Sequence, residues 1–517
     1  SSGLSGSAML AMKRKKVFTQ LRYTERHWAD YRVPADSFTY LSMRLPINDG
    51  RLKNTAGKER GANWLLAYKN KHYEGRLNVS DIFQQSGFFS GAHGIPAQSN
   101  LESDGDRWNI DLPYSKVNHL KVSSNNLWNY GELQTRLVLA YQRNHREEWS
   151  KFHTHVVGQK APETDPDKEL MLNLQTVSGK LQFRLQPSTT WEHYAGISAM
   201  FQKNDIGGYG FLMPAYNRGE SGVYYLVNYT LSSVWELNAS ARYDFGNIRT
   251  KAHGGEVGEV NRKFHDYSLA LGAVCKPVLG HECRLSFGRA YRLPSANELT
   301  SNGVHHGAFR HELGDSSLVS EQGWQLDLSY AYNSKRVDVS ISPYFSYYPH
   351  FISLHPTGQW SPLPDAGQIY QYVDSPAKFY GGEAHMKVKL IKDLYYEFSG
   401  EYVHSYDYDA HTATPFSPPA SMRNSVGWND RLWQAYVECQ SVATQKHVCH
   451  NEDETAGYNL LNVGGKVEFP MRASKLSLIV GVHNLLNTFY LNHLNFYRKI
   501  DLPEAGLDVQ TTIRFTF

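Results

Sequence analysis

The sequence predicts an all-β chain, a transmembrane antiparallel β-barrel of about 22 strands with long extracellular loops and short periplasmic turns. Three observations carry that expectation. Apolar and polar residues alternate with period two in segment after segment. Aromatic residues reach 13%, with 34 Tyr, 23 Phe and 11 Trp. The connections between alternating segments are short and long by turns along the chain.

The first alternating stretch runs from Ser5 to Thr24. Further along, Trp235, Leu237, Ala239, Ala241, Tyr243 and Phe245 alternate with Glu236, Asn238, Ser240, Arg242 and Asp244, which makes a two-faced strand. Trp324 to Tyr332 repeats the pattern, and Val337, Val339 and Ile341 follow it after the turn Asn333-Ser334-Lys335. Tyr396, Phe398 and Tyr402 alternate with Glu397, Ser399 and Glu401 after the turn Lys392-Asp393. Against these tight turns stand long polar connections, among them Tyr31 to Gly61, Phe88 to Pro113, Arg146 to Lys168, Arg292 to Val319 and Tyr406 to Ser421. A propeller would repeat a blade motif about every 40 to 50 residues, and no such repeat is present. The final strand places Val509, Ile513, Phe515 and Phe517 on one face and stops on the aromatic ring.

Composition narrows the alternatives. At 517 residues the chain exceeds the roughly 250 to 300 at which one compact core stops growing, so it is either several soluble domains or one closed β architecture. Lys plus Arg is 53 and Asp plus Glu is 50, a net charge of +3, which does not indicate a nucleic-acid partner. The longest apolar runs, such as Leu478 to Val482, fall far short of the ~18 to 20 residues of a helical membrane span. Aromatic rings suit strands and the membrane–water interface, where one edge is wet; Trp149, Trp324 and Tyr347 read as such a girdle. An aromatic-rich secreted β protein that binds glycans shares this composition and differs in being water-soluble.

The segments Gly288-Arg289-Ala290-Tyr291-Arg292-Leu293-Pro294-Ser295-Ala296-Asn297-Glu298-Leu299 and His311-Glu312-Leu313-Gly314-Asp315-Ser316-Ser317-Leu318-Val319-Ser320-Glu321 resemble the Arg-x-Pro box, loop and return of TonB-dependent outer-membrane receptors. Asn484-Leu485-Leu486-Asn487 and the run from Arg498 to Phe517 resemble the last two strands of that family, in its Bacteroidetes-like form. Phe517 then matches the assembly signal of outer-membrane barrels. The resemblance implies a Gram-negative outer-membrane location and active uptake of a scarce solute, most readily an iron-siderophore or other metal chelate. It further implies a TonB complex acting through a plug, the barrel assembly machinery, outer-membrane lipid and lipopolysaccharide, and a surface lipoprotein as partners. Residues 1–517 are expected to be the barrel domain, without the N-terminal plug of the family. No cofactor is required, and no nucleophile elbow, P-loop or HExxH is present to mark an enzyme.

The 23 His residues supply the candidate ligands. His305, His306 and His311, with Glu312, follow the Arg-x-Pro box. His153 and His155 share one face of an extended segment, and His447 and His450 flank Cys449 ahead of Glu452 and Asp453. Imidazole suits zinc, copper and haem iron, which makes a haem or free-metal importer the second reading. Arg143 and Arg146, in a dense charge group with Glu147 and Glu148, are candidates for an anionic solute or a lipid phosphate. The four Cys fall into local pairs, Cys275 with Cys283 and Cys439 with Cys449, whose spacings match no zinc or redox motif and suit disulfides.

Overall fold

A computed structural model describes residues 2–40, 42–92, 101–154, 158–254, 257–305, 310–363 and 366–517. The strands in chain order begin with β1 (Gly3–Arg14), β2 (Val17–Trp28), β3 (Ser37–Tyr40), β4 (Met43–Pro46), β5 (Gly57–Lys69), β6 (Tyr73–Gly87), β7 (Tyr114–Tyr130) and β8 (Leu133–Trp149). Next come β9 (Lys168–Leu185), β10 (Trp191–Gly207), β11 (Tyr216–Thr230), β12 (Trp235–Thr250), β13 (Asn261–Cys275), β14 (His281–Arg292), a one-turn helix α1 (Ala296–Thr300), β15 (Asn302–His305) and β16 (Arg310–Leu313). The remainder are β17 (Glu321–Asn333), β18 (Val337–Trp360), β19 (Gln368–Ile391), β20 (Leu394–Asp407), β21 (Ser421–Asn429), β22 (Trp433–Val442), β23 (Tyr458–Pro470), β24 (Lys475–His483) and β25 (Asp508–Thr516).

One sheet holds 23 of these strands, and β3 with β4 forms a separate pair. Within the large sheet, β15 and β16 are a short loop hairpin, so 21 strands build the wall, each antiparallel to the one before. The odd count makes β1 and β25 run the same way, and among the described residues no ladder joins them. Both are exposed along their length, as edge strands are.

Register explains the two faces. Trp235, Cys275, Cys283, Tyr330 and Ile341 are successive cross-strand partners and form one row. Two residues further along the strands, Leu237, Ala273, Leu285 and Leu328 form the next row. These rows lie on an outer face where Val223, Leu271, Phe345, Val437 and Ile513 stay exposed, an apolar band far larger than a water-soluble surface tolerates. The opposite face carries ions. Arg242 donates through Nε to Asp244 at 2.6 Å, Arg284 to Glu282 at 2.6 Å, and Lys387 to Glu397 at 2.7 Å. This is the alternation of a transmembrane barrel with a polar lumen.

Two-residue turns such as Lys15-Lys16 and Lys392-Asp393 close one end, and the long connections gather at the other. There the loops make cores of their own. Phe38, Tyr40, Leu52, Phe89, Ile500 and Leu502 form one cluster; Ile248, Leu293, Leu299, Leu318 and Tyr372 form a second.

Two sequence expectations need correction. The expected loop from Arg146 onward starts late, because β8 continues to Trp149; Arg143 to Glu148 are strand residues. Alternation then sends Arg143 and Arg146 in different directions. Arg143 donates to Asn173 at 3.0 Å and Arg146 pairs with Glu148, on opposite faces of the wall. The expected disulfides are absent, and all four thiols are free. Cys439 lies within β22 with Sγ 3.9 Å from Ser441 Oγ, whereas Cys449 sits in the next loop and donates to the His450 carbonyl at 3.4 Å. Cys275 and Cys283 are register partners, unbonded.

Candidate functional site

The β14–β17 loop is pinned at both ends by one residue. Arg292 reaches Glu298 at 2.9 Å and Glu321, the first residue of β17, at 2.9 Å. Glu298 also accepts from the Ser295 backbone N–H at 2.7 Å, which starts α1 directly after Pro294. The arginine of the Arg-x-Pro box is therefore a clamp on the loop, and it delivers the β15–β16 hairpin to the end of β19. There β16 pairs in parallel with Gln368 to Gln371.

Glu312 is the hub of that hairpin. Its buried carboxylate accepts from Arg310 Nε at 2.6 Å, lies 3.2 Å from His305 Nδ1, and accepts from the Tyr372 hydroxyl at 3.2 Å. Burial pushes its pKa up, but the His305 hydrogen bond and the Arg310 charge outweigh burial and hold it at about 2. His311 points away, with Nδ1 2.8 Å from Ser361 Oγ and Nε2 3.2 Å from Asn302 Oδ1, and burial lowers its pKa.

A second hub comes from the loops after β22 and β24. Glu452 pairs with Arg498 at 2.8 Å, accepts from the Phe416 backbone at 3.1 Å, and lies 3.5 Å from His493 Nε2. Arg498 also donates to the carbonyls of His493 and Asp453. His493 is held to about 4 by burial and by the Arg498 charge, so it is neutral.

Three rings join the hubs. Phe416 and Phe496 approach to 4.6 Å between centroids, and Tyr370 lies 6.0 Å from Phe496 and 6.4 Å from Phe416. Arg310 covers Phe496 at 4.3 Å, and Lys499 covers Tyr370 at 4.8 Å while donating to Gln368 at 2.8 Å. The Tyr370 side chain is 1% exposed, yet its hydroxyl has no hydrogen-bond partner. Burial, then the Arg498 charge, lowers Lys499 to about 8. Two cations and one unsatisfied hydroxyl thus meet over an aromatic floor, an arrangement that offers donors to oxygen acceptors.

The remaining sequence candidates disperse. His447 Nε2 lies 2.8 Å from the Ser405 carbonyl and its ring stacks on His404 at 4.3 Å; His450 lies 3.1 Å from the Ala410 carbonyl. His153 lies 3.1 Å from the Lys151 carbonyl and 3.7 Å from Glu169. Asp453 enters through its carbonyl, not its carboxylate. His155 and His306 lie outside the described residues. Among the described residues, no three His, Cys, Asp or Glu side chains are grouped as a metal site would need. Sequence reasoning missed Tyr370, Phe496 and Lys499. The signal for the last two was the break in alternation between His483 and Asp508, with Pro503 and Gly506 inside it.

Residues 30–485 match the family described as TonB dependent receptor-like, beta-barrel. The chain is similar in structure to the copper transporter OprC, with 14% identity, 100% of this chain and 79% of that chain covered, and a TM-score of 0.77. It is similar to the FrpB iron transporter from Neisseria meningitidis (F3-3 variant) at 14% identity, 99% and 79% coverage and a TM-score of 0.73. It is also similar to the siderophore receptor PirA from Acinetobacter baumannii at 12% identity, 99% and 77% coverage and a TM-score of 0.73. At such identities the likeness to these structures speaks of fold alone.

Proposed function

The chain belongs to the TonB-dependent receptor family of the Gram-negative outer membrane, and on that premise we propose that it takes up a metal chelate of the iron-siderophore class. The observation that carries this reading is the Tyr370 side chain, whose buried hydroxyl has no hydrogen-bond partner and whose ring lies 6.0 Å from the Arg310 guanidinium and 4.8 Å from the Lys499 ammonium. A chelate presents a ring of oxygen acceptors around its metal. Those oxygens match ammonium, guanidinium and phenol donors, and aromatic parts of the ligand match the floor of Phe416 and Phe496. Capture at the loop end, followed by energy from the TonB complex, moves the solute inward, and no covalent chemistry is needed. The family membership supports this reading, and among the described residues His153, His305, His311, His447 and His450 each turn to a different partner.

The test is a fluorescence-quenching titration of the detergent-purified full chain against ferric catecholate and hydroxamate chelates, haemin, and copper or zinc ions. Saturable binding of a ferric chelate, weakened at least tenfold in Y370F/K499A, is expected. Binding of haemin or of a bare ion with no chelate binding would overturn the proposal in favour of the haem or free-metal reading.

A further inference from the structure

The two ends of the barrel differ in charge far more than the net charge of +3 implies. The ten short turns between wall strands carry nine Lys and Arg against three Asp and Glu. The ten long connections carry twelve against 22. All nine cations of the turns are exposed. Among the described residues only Lys276 and Lys392 meet a carboxylate, at 3.6 and 3.7 Å; Lys15, Lys16, Lys71, Lys335, Arg336, Arg431 and Arg472 meet none. Self-repulsion among unpaired cations on one rim costs stability, so a counter-charge outside the chain is called for.

The depth of the rim identifies that counter-charge. Trp191, Trp235 and Trp433 are the first residues of β10, β12 and β22, and Tyr130 is the last of β7; each is exposed on the outer face directly beside a short turn. Indole and phenol rings at this height mark the boundary between acyl chains and headgroups. The turns therefore lie level with lipid headgroups, within a Debye length of their phosphates. Arg14 extends the outer column of Leu10 and Met12 to this level and adds a cation facing the lipid.

We propose that the short-turn rim is a binding surface for the anionic headgroups of phospholipid in the periplasmic leaflet, with Lys15-Lys16 and Lys335-Arg336 as its densest points. The proposal rests on the outer-membrane reading and is independent of the solute.

The test is native mass spectrometry of the full chain in detergent with equal amounts of phosphatidylglycerol and phosphatidylcholine of the same acyl chains. Phosphatidylglycerol adducts should exceed phosphatidylcholine adducts several-fold and fall with added ammonium acetate. The variant K15Q/K16Q/K335Q/R336Q should lose at least half of that preference, whereas K151Q/K160Q in a long loop should keep it. A heat-modifiability gel checks that each variant is folded, and K335Q/R336Q alone gives the reading should the quadruple variant fail that check. Equal retention of the two lipids, or an unchanged preference in the folded turn variant, overturns the proposal. Chelate binding is read separately, so failure here leaves the transport reading untouched.

Discussion

Cys275 stands directly opposite Cys283 across the β13–β14 ladder, and both thiols are free. Directly opposed antiparallel residues have Cα atoms about 4.5 to 5.5 Å apart, inside the about 4.4 to 6.8 Å that a disulfide spans. Cys439 and Cys449 have no such relationship. Diamide treatment of the full chain, followed by alkylation after denaturation, should therefore find Cys275 linked to Cys283 and Cys439 and Cys449 alkylated. Peptide mapping that finds a Cys439–Cys449 link, or four alkylated thiols after oxidation, counts against this register.

Acid should loosen the loop end before the wall. Glu312 has a folded pKa of about 2 against an ordinary carboxylate value of 4.5, so the unfolded loop binds the proton more readily. Its contribution is fully present above pH 4.5 and is lost as pH falls through 2, an amount of about 3 kcal/mol at most. His493 acts in the same direction, because its folded value of about 4 lies below the free value of 6.5. Between those values the unfolded state again holds more protons, and stability falls with pH. Hydrogen exchange corrected for the intrinsic rate should show protection falling from pH 7 to pH 4 more in 293–320 and 484–507 than in the strands. In E312Q the acid effect on 293–320 should shrink, and an identical pH response in that variant would sink the assignment.

The wall was legible in the sequence because a strand's period of two needs only the strand's own residues. The pairs Trp235/Glu236 and Tyr396/Glu397 disclose their faces without any knowledge of neighbours. Loop structure was not legible in that way. Arg310, Tyr370, Phe416 and Phe496 meet across connections far apart in sequence, and no local pattern announces a contact of that kind. Histidine count was a poor guide for the same reason. His447 and His450 are neighbours in sequence, yet each ring turns to a different carbonyl. The Arg-x-Pro box lay between the two cases: its position was readable, and its role as a clamp needed Glu298 and Glu321 to be seen on either side of Arg292.

Several lumen tyrosines lie over a glycine on the adjacent strand. Gly464 is the register partner of Tyr436, and a Cβ built there would come within 2.5 Å of the ring; Gly427 with Tyr395 and Gly196 with Tyr224 repeat the arrangement. The missing Cβ is what lets the ring lie flat and cover the neighbouring backbone. Gly464→Ala should push the Tyr436 ring out and cost about 1 to 3 kcal/mol. The expected readout is a lower temperature for the folded-to-unfolded band shift on a semi-native gel. G464A/Y436A should recover part of the loss, and equal losses in the single and double variants would refute the pairing.

Lys499 ties the pH response to the proposed solute. Burial and the Arg498 charge lower its pKa from 10.5 to about 8, so the cation over Tyr370 is lost well before an ordinary lysine would lose it. Between pH 8 and 10.5 the folded state holds fewer protons than the unfolded one, so this group makes the loop more stable as pH rises. Binding moves the other way, because a neutral amine is a weaker partner for chelate oxygens than an ammonium. Chelate affinity should fall about tenfold between pH 7 and pH 9.5. Lys499→Arg keeps its charge across that range and should hold affinity constant, even if its affinity at pH 7 is lower. A titration in which K499R falls in parallel with the parent chain would remove Lys499 from the solute site and leave Arg310 as the cation to examine.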